Sequence, residues 1–206
     1  MAKFFKSDWF KCVAVLLVLA VVLGGLLAVL SDVLFVSPTE RANRAIKKIY
    51  GSEMQYTAEL DIDGENKDNP LYYYQPNDNT KKIGQINKVY KIANGDILFQ
   101  SVGYDGYKGG TITLWVKVIV GDDNKYAIDK VVLESYDKQT LMSKLDGTYY
   151  GGFRLTDVTK AYNENKFFTT DSEGGINNPV SGATYSANAG NNAVNCVIQY
   201  VGKIGG

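Results

Sequence analysis

The sequence predicts an α+β fold: an antiparallel β-sheet domain with packed helices, anchored by one N-terminal transmembrane helix. Three observations carry this. Cys12 to Leu30 is a run of 19 residues without charge, nearly all Val, Leu and Ala. From Gln55 onward apolar residues recur with period two between turn residues, the pattern of half-buried strands. Near the C-terminus Ala193, Val194, Val197, Ile198 and Val201 recur at helical spacing. The 15 Tyr, 8 Phe and 21 Gly among 206 residues also favour strands and turns over a helical bundle.

Taken in order, residues 1–11 form a short N-terminus and residues 12–36 a transmembrane helix. The apolar run nearly spans a hydrocarbon core, and Val33–Val36 extends it past Asp32. A signal peptide is the alternative, but its apolar region would be unusually long and no A-x-A cleavage site follows. Residues 37–50 read as a stalk helix. Ser37 is its N-cap, Pro38 its first position and Glu40 the capping-box partner, with Ala42, Ala45, Ile46 and Ile49 as one apolar stripe. Residues 51–206 form the soluble domain, with strands expected near 55–62, 82–92, 96–103, 111–120 and 127–135. Asp63-Gly64, Asn94-Gly95 and Gly121-Asp122 mark hairpins between them. The stretch 139–168 is mixed, with a turn at Tyr149–Phe153, and the final helix is expected to start from Ser186 as N-cap and close at Gly202.

Composition excludes several kinds of function. Formal net charge is zero, so nothing favours nucleic acid as a partner. With no histidine, every Ser-His-Asp or Cys-His arrangement is absent, along with the commonest metal ligand. The two cysteines, Cys12 and Cys196, cannot form an iron–sulfur or Cys-rich zinc site, so no metal is expected. Redox chemistry here would need an organic cofactor. The segment from Glu59 to Gly64 looks like half a calcium loop, but Pro70 stands where the bidentate Glu belongs, and a hairpin turn explains it more simply.

Two stretches remain as candidate sites. Gly103 to Gly110 is glycine-rich and leads into a strand, which argues against a dinucleotide fingerprint. It reads either as a hairpin connection or as a loop against a planar ligand, with Tyr104 or Tyr107 available to stack. The second is Ser181-Gly182-Ala183-Thr184-Tyr185-Ser186, ahead of the final helix. From Gly174 to Gly202 there is no charged side chain. A phosphodiester there would meet backbone donors and the helix dipole, with Asn188, Asn191 and Asn192 nearby.

This second motif resembles the S/T-G-A-T-x-S/T flavinylation signature of the FMN-binding subunits of bacterial respiratory ion pumps, those of the Rnf complex and of the sodium-translocating NADH:quinone reductase. One N-terminal span, a glycine- and tyrosine-rich stretch from Val102 to Ile112 and the motif near the C-terminus extend the likeness over the chain. The length is closer to the Rnf protein than to its longer quinone-reductase relative.

The resemblance implies FMN bound covalently to Thr184 through a phosphodiester installed by a separate flavin transferase. A bare threonine hydroxyl is a weak nucleophile, and an external enzyme supplying its activation suits that. It implies flavin contacts from Ser181, Gly182, Ala183, Tyr185, Ser186, Tyr104, Tyr107 and Thr140. Lysines flank both sides of the apolar run, so charge leaves orientation open; the resemblance implies that residues 1–11 are cytoplasmic and the domain extracytoplasmic. Two positions depart from the family: Asn177 replaces an acid ahead of the motif, and Gln139-Thr140-Leu141-Met142 stands where E-T-P-G is usual.

The function implied is that of an electron-transfer subunit in a membrane ferredoxin:NAD oxidoreductase coupled to sodium or proton export, working beside the other proteins of that complex. The isolated chain would be an electron carrier with no catalytic residue of its own. A stand-alone membrane flavoprotein for extracellular electron transfer is the first alternative. A surface binding module without redox activity, in which the motif is only a turn and cap, is the second.

Overall fold

The computed structural model describes residues 8–34, 36–61, 71–76, 78–121, 125–171 and 174–204. They fall into two units, Met1–Arg41 and Ala42–Gly206.

The first unit is dominated by helix α1 (Asp8–Leu34). Its span Lys11–Leu30 is 20 residues long, apolar and unburied. At about 1.5 Å per residue that length matches a hydrocarbon core, so the helix fits a single membrane anchor or a signal sequence. Helix α2 (Pro38–Tyr50) begins as its sequence predicts, with the Glu40 amide donating to Ser37 Oγ at 3.1 Å.

The second unit is built on an antiparallel sheet. Its strands are β1 (Tyr56–Asp61), β2 (Leu71–Gln75), β3 (Asp78–Ile92), β4 (Ile97–Gly103), β5 (Ile112–Val120) and β6 (Tyr126–Tyr136). Five run side by side as β1-β3-β4-β5-β6, and β2 shares with β1 the same side of the long strand β3. The β3–β4 hairpin turns at Asn94-Gly95, where Gly95 has φ 92° and the Gly95 amide donates to the Ile92 carbonyl at 2.9 Å. The turns expected at Asp63-Gly64 and Gly121-Asp122, and the partial calcium motif, fall wholly or partly outside the described residues.

Both faces of the sheet are covered, and the alternation in β5 shows how. Ile112, Leu114, Val116 and Val118 are buried on one face, beneath the C-terminal helix α5 (Thr184–Ile204). Trp115, on the other, packs with Tyr90 and Leu98 under Ala42, Ala45, Ile46 and Ile49 of α2. The helix expected as a stalk is therefore the outer layer of the domain from Ala42 onward. Its amphipathic stripe has a sheet to bury against.

Between β6 and α5 lie short helices α3 (Gly147–Gly151) and α4 (Val158–Asn163), and a two-residue parallel pair, β7 (Phe168–Thr169) with β8 (Ile176–Asn177). The turn expected at Tyr149–Phe153 holds from Gly152 on, but Tyr149–Gly151 belong to α3, where the Asp146 carboxylate caps the Thr148 and Tyr149 amides. Tyr149 and Phe153 then enter the core in edge contact at 5.1 Å.

Helix α5 also departs from its expected ends. It starts at Thr184, two residues before Ser186, and runs past Gly202 to Ile204. Gly202 lies directly against the Tyr162 ring of α4, and a Cβ there would overlap the ring. At Gly103 the β4 backbone comes so close to α5 that a Cβ would overlap the Ala189 carbonyl. Helix and strand touch there through main chain.

Candidate functional site

The start of α5 is set by backbone geometry. The Ala183 amide donates to the Val180 carbonyl at 3.0 Å, and Gly182 holds φ 72°, a left-handed value that glycine accepts without steric cost. The Ala187 amide then donates to the Ala183 carbonyl at 2.9 Å, the first bond of the helix. Ala183 is accordingly the N-cap, and its methyl group offers no acceptor to the first-turn amides of Thr184, Tyr185 and Ser186. Thr184 itself is exposed at the first helical position.

A recess of ≈ 330 Å³ opens beside it, lined by Tyr107, Thr140, Leu141 and the segment Gly182–Ser186. Three separated parts of the chain meet here: the glycine-rich connection after β4, the segment after β6 and the head of α5. The Tyr107 and Tyr185 rings stand 6.4 Å apart at 60°. Tyr185 is 65% exposed and Leu141 42%, so the mouth of the recess is apolar and open.

Gln139 joins these parts. Its side-chain oxygen accepts from the Tyr107 amide at 3.1 Å and from the Ser186 hydroxyl at 2.8 Å, while Nε2 donates to the Asp137 carbonyl at 2.9 Å. All three bonds are buried or partly so, and Gln139 is 7% exposed. The Ser186 side chain is spent inside the helix on this contact, which is why it does not cap.

The rim is cationic. Lys144 Nζ donates to the Ser181 carbonyl at 3.3 Å and lies 2.5 Å from where a Cβ on Gly182 would stand. Lys108 Nζ lies 5.3 Å over the Tyr107 ring. Among the described residues no carboxylate lines the recess. The lysines come from outside the uncharged segment 174–202, so sequence proximity to the motif does not reveal them.

Two sets of the expected residues lie elsewhere. Tyr104 does not line the recess. Its hydroxyl donates to Gln85 Oε1, its carbonyl accepts from Asn192 Nδ2 at 3.1 Å, and burial pushes its pKa up to about 12. Asp105, at φ 63°, reverses the chain between Tyr104 and Tyr107 and turns them to different neighbours. Asn188, Asn191 and Asn192 likewise do not face the recess. They clamp loops to α5: Asn188 Nδ2 on the Asp105 carbonyl at 3.4 Å, Asn191 Nδ2 on the Asn178 carbonyl at 3.4 Å, Asn192 on Tyr104.

Asn177 lies exposed in β8 and does not line the recess. A larger groove of ≈ 510 Å³ runs between Tyr72–Pro76 and Tyr162–Phe167, but none of the sequence-derived site residues lines it. Among the described residues no cluster of acidic, Cys or His side chains could hold a metal ion. No protein-family model matches the chain, and no curated protein matches it.

Proposed function

We propose that this chain is a membrane-anchored carrier of FMN held by a phosphodiester on Thr184, serving as an electron-transfer subunit of an Rnf-type ferredoxin:NAD oxidoreductase complex. The observation that carries the reading is the meeting of an exposed Thr184 hydroxyl, an uncapped helix start and an aromatic recess at one place.

The residues fit the group. Its phosphate would lie at the amides of Thr184, Tyr185 and Ser186, which Ala183 leaves without a side-chain partner, with Lys144 alongside. Its ring system would lie against Tyr107, Leu141 and Tyr185. At ≈ 330 Å³ the recess sits near the lower end of small-molecule sites, so such a ligand stays partly exposed. Partial exposure suits a carrier that meets redox partners at a protein interface. The flavin, when bound, supplies the electron-transfer chemistry that side chains lacking His, metal or paired Cys do not.

The remaining work belongs to the protein. Gln139 fixes the Tyr107 wall against Ser186, so the recess is held open by buried bonds. A covalent bond at Thr184 keeps the cofactor at high effective concentration without a deep pocket. That matters for a domain facing away from the cytoplasm, where lost flavin is not replaced. The apolar N-terminal helix supports membrane attachment, and the extracytoplasmic side follows from the resemblance.

The test is intact mass and in-gel flavin fluorescence after coexpression with a flavin transferase. The expected result is a mass gain of one FMN phosphodiester and a fluorescent band, both lost in Thr184→Val. An unmodified wild-type chain, or fluorescence that survives Thr184→Val, overturns the assignment.

A further inference from the structure

Strand β6 is the outer strand on one side of the sheet. Its partner is β5, and among the described residues no strand pairs with it on the other side. The returning chain closes only its beginning. Ala127 bridges Asp157, the Ile128 amide donates to the Thr156 carbonyl at 3.1 Å, and the Leu155 amide donates to the Ile128 carbonyl at 2.7 Å.

Beyond that point Asp129–Leu133, five consecutive residues, line a trough of ≈ 440 Å³. Its walls are Lys48 of α2 and Gly147, Tyr150 and Gly151 of α3, with Arg154 beside them. A Cβ added at Gly147 or Gly151 would meet nothing within 4 Å, so this wall stands back from the strand.

An open strand edge offers backbone donors and acceptors to another extended chain. Two irregularities in the β5–β6 register, at Lys117/Val118 and Thr113/Leu114, bracket the pairs from Lys130 to Leu133. Bulges of this kind twist an edge away from indefinite stacking. The stretch left between them is long enough for one short added strand and too short for an aggregate.

Charge indicates what kind of strand. Lys48 Nζ donates to the Leu133 carbonyl at 3.1 Å, and Lys130 Nζ to the Ile49 carbonyl at 3.1 Å. Carbonyl oxygens satisfy these ammonium donors without neutralising them. Among the described residues the one carboxylate lining the trough, Asp129, already faces Lys117 at 2.8 Å and Arg154 at 3.9 Å. An incoming chain therefore meets Lys48, Lys130 and Arg154 against a single acid that is in use.

We propose that the trough along β6 takes up an extended acidic segment of a partner protein, added to the sheet as a further strand. Lys48 releases the Leu133 carbonyl to the incoming backbone and turns its charge to an incoming carboxylate. This surface is independent of the flavin at Thr184.

The test uses the full chain in nanodiscs of neutral lipid. Three labelled short peptides are compared by fluorescence anisotropy: a Glu-Val repeat, a Lys-Val repeat and the Glu-Val repeat with a central proline. The acidic peptide should bind at least about tenfold more tightly than either control. It should also slow hydrogen exchange at the amides of the Val131–Leu133 stretch that point away from β5. Gly151→Phe, which fills the trough, should weaken binding about tenfold with unchanged melting temperature, and Lys130→Glu should weaken it by a similar factor. Equal binding of the three peptides, unchanged exchange at these amides, or an unaffected Gly151→Phe overturns the proposal. So does protection of the same amides by anionic phospholipid vesicles without any by the peptide, which would make the trough a lipid contact. Thr184→Val should bind the peptide as wild type does, so failure here is separable from failure of the flavin reading.

Discussion

The Ser186 hydroxyl donates to Gln139 Oε1 at 2.8 Å, joining side chains 47 positions apart in sequence. The same oxygen takes the Tyr107 amide, so one glutamine holds three segments of the Thr184 recess together.

Gln139→Ala strands a buried hydroxyl and leaves the Tyr107 amide and Asp137 carbonyl without this partner. The expected cost is about 1–3 kcal/mol. Ser186→Ala removes one bond and should cost about 1 kcal/mol. Urea unfolding of the full chain in micelles gives both values. A Gln139→Ala no more destabilising than Ser186→Ala would show that the glutamine does not organise the recess.

A second prediction concerns Tyr149 and Gly190. The Tyr149 hydroxyl lies 3.0 Å from the Ala187 carbonyl and 3.1 Å from Asn191 Oδ1, and a Cβ on Gly190 would overlap it. Alanine is ordinarily the better helix residue by about 1 kcal/mol. Here Gly190→Ala should instead cost about 1–3 kcal/mol from overpacking. Tyr149→Phe removes the obstructing oxygen, so the double variant should be more stable than the sum of the single effects by about 1 kcal/mol or more. A double-mutant cycle measures this; strict additivity would mean that α5 shifts freely.

The third is a pH dependence. Lys117 Nζ lies 3.2 Å from Asp96 and 2.8 Å from Asp129, and 4.6 Å over the Tyr50 ring. Burial opposes its charge, but the hydrogen bonds it donates to Asp129 and Asp96 outweigh that and raise its pKa. Tyr50 is raised too, by burial and then by Asp96, and burial pushes Tyr150 up to about 12. Each of these groups binds its proton more tightly folded than unfolded. Their contribution is complete below the unfolded values, about 10 for Tyr and 10.4 for Lys, and declines as pH rises through the higher folded ones. Stability should therefore fall above about pH 10, and tyrosinate absorbance should rise together with unfolding. Lys117→Met leaves two acids facing each other and should cost about 3 kcal/mol at neutral pH. Tyrosines that titrate fully before unfolding would contradict the argument.

Much of the fold was legible because β5 and α5 carry their apolar residues at a regular strand or helix period. The Ser37 cap and the Asn94-Gly95 turn were legible because a few atoms determine them. Strand β2 was not: Tyr72-Tyr73-Tyr74 shows no alternation and ends at Pro76. Helix α3 was not, because Tyr149-Tyr150-Gly151-Gly152 has a turn composition and becomes helical only through the Asp146 cap and the burial of Tyr149. At the site, the motif could be read from local pattern, and Thr140 only through the resemblance. Gln139 and Lys144 could not, since a lone amide and a lone lysine carry no periodicity. Their role appears only when the segment after β6 folds back on α5. Tyr104 and Tyr107 looked equivalent because the reversal at Asp105 is invisible to composition.

The main-chain contact between Gly103 and Ala189 has a consequence for distance. A helix that rests on a strand through side chains can slide when rotamers change, but one that rests on backbone cannot. Thr184 opens the helix that carries Ala189, so its place relative to β4 is surveyed from a fixed benchmark. Whatever is fastened to that hydroxyl moves only through the short arc of its own linkage. For the flavin carrier proposed above, such a mount fixes where the attachment point stands relative to the sheet.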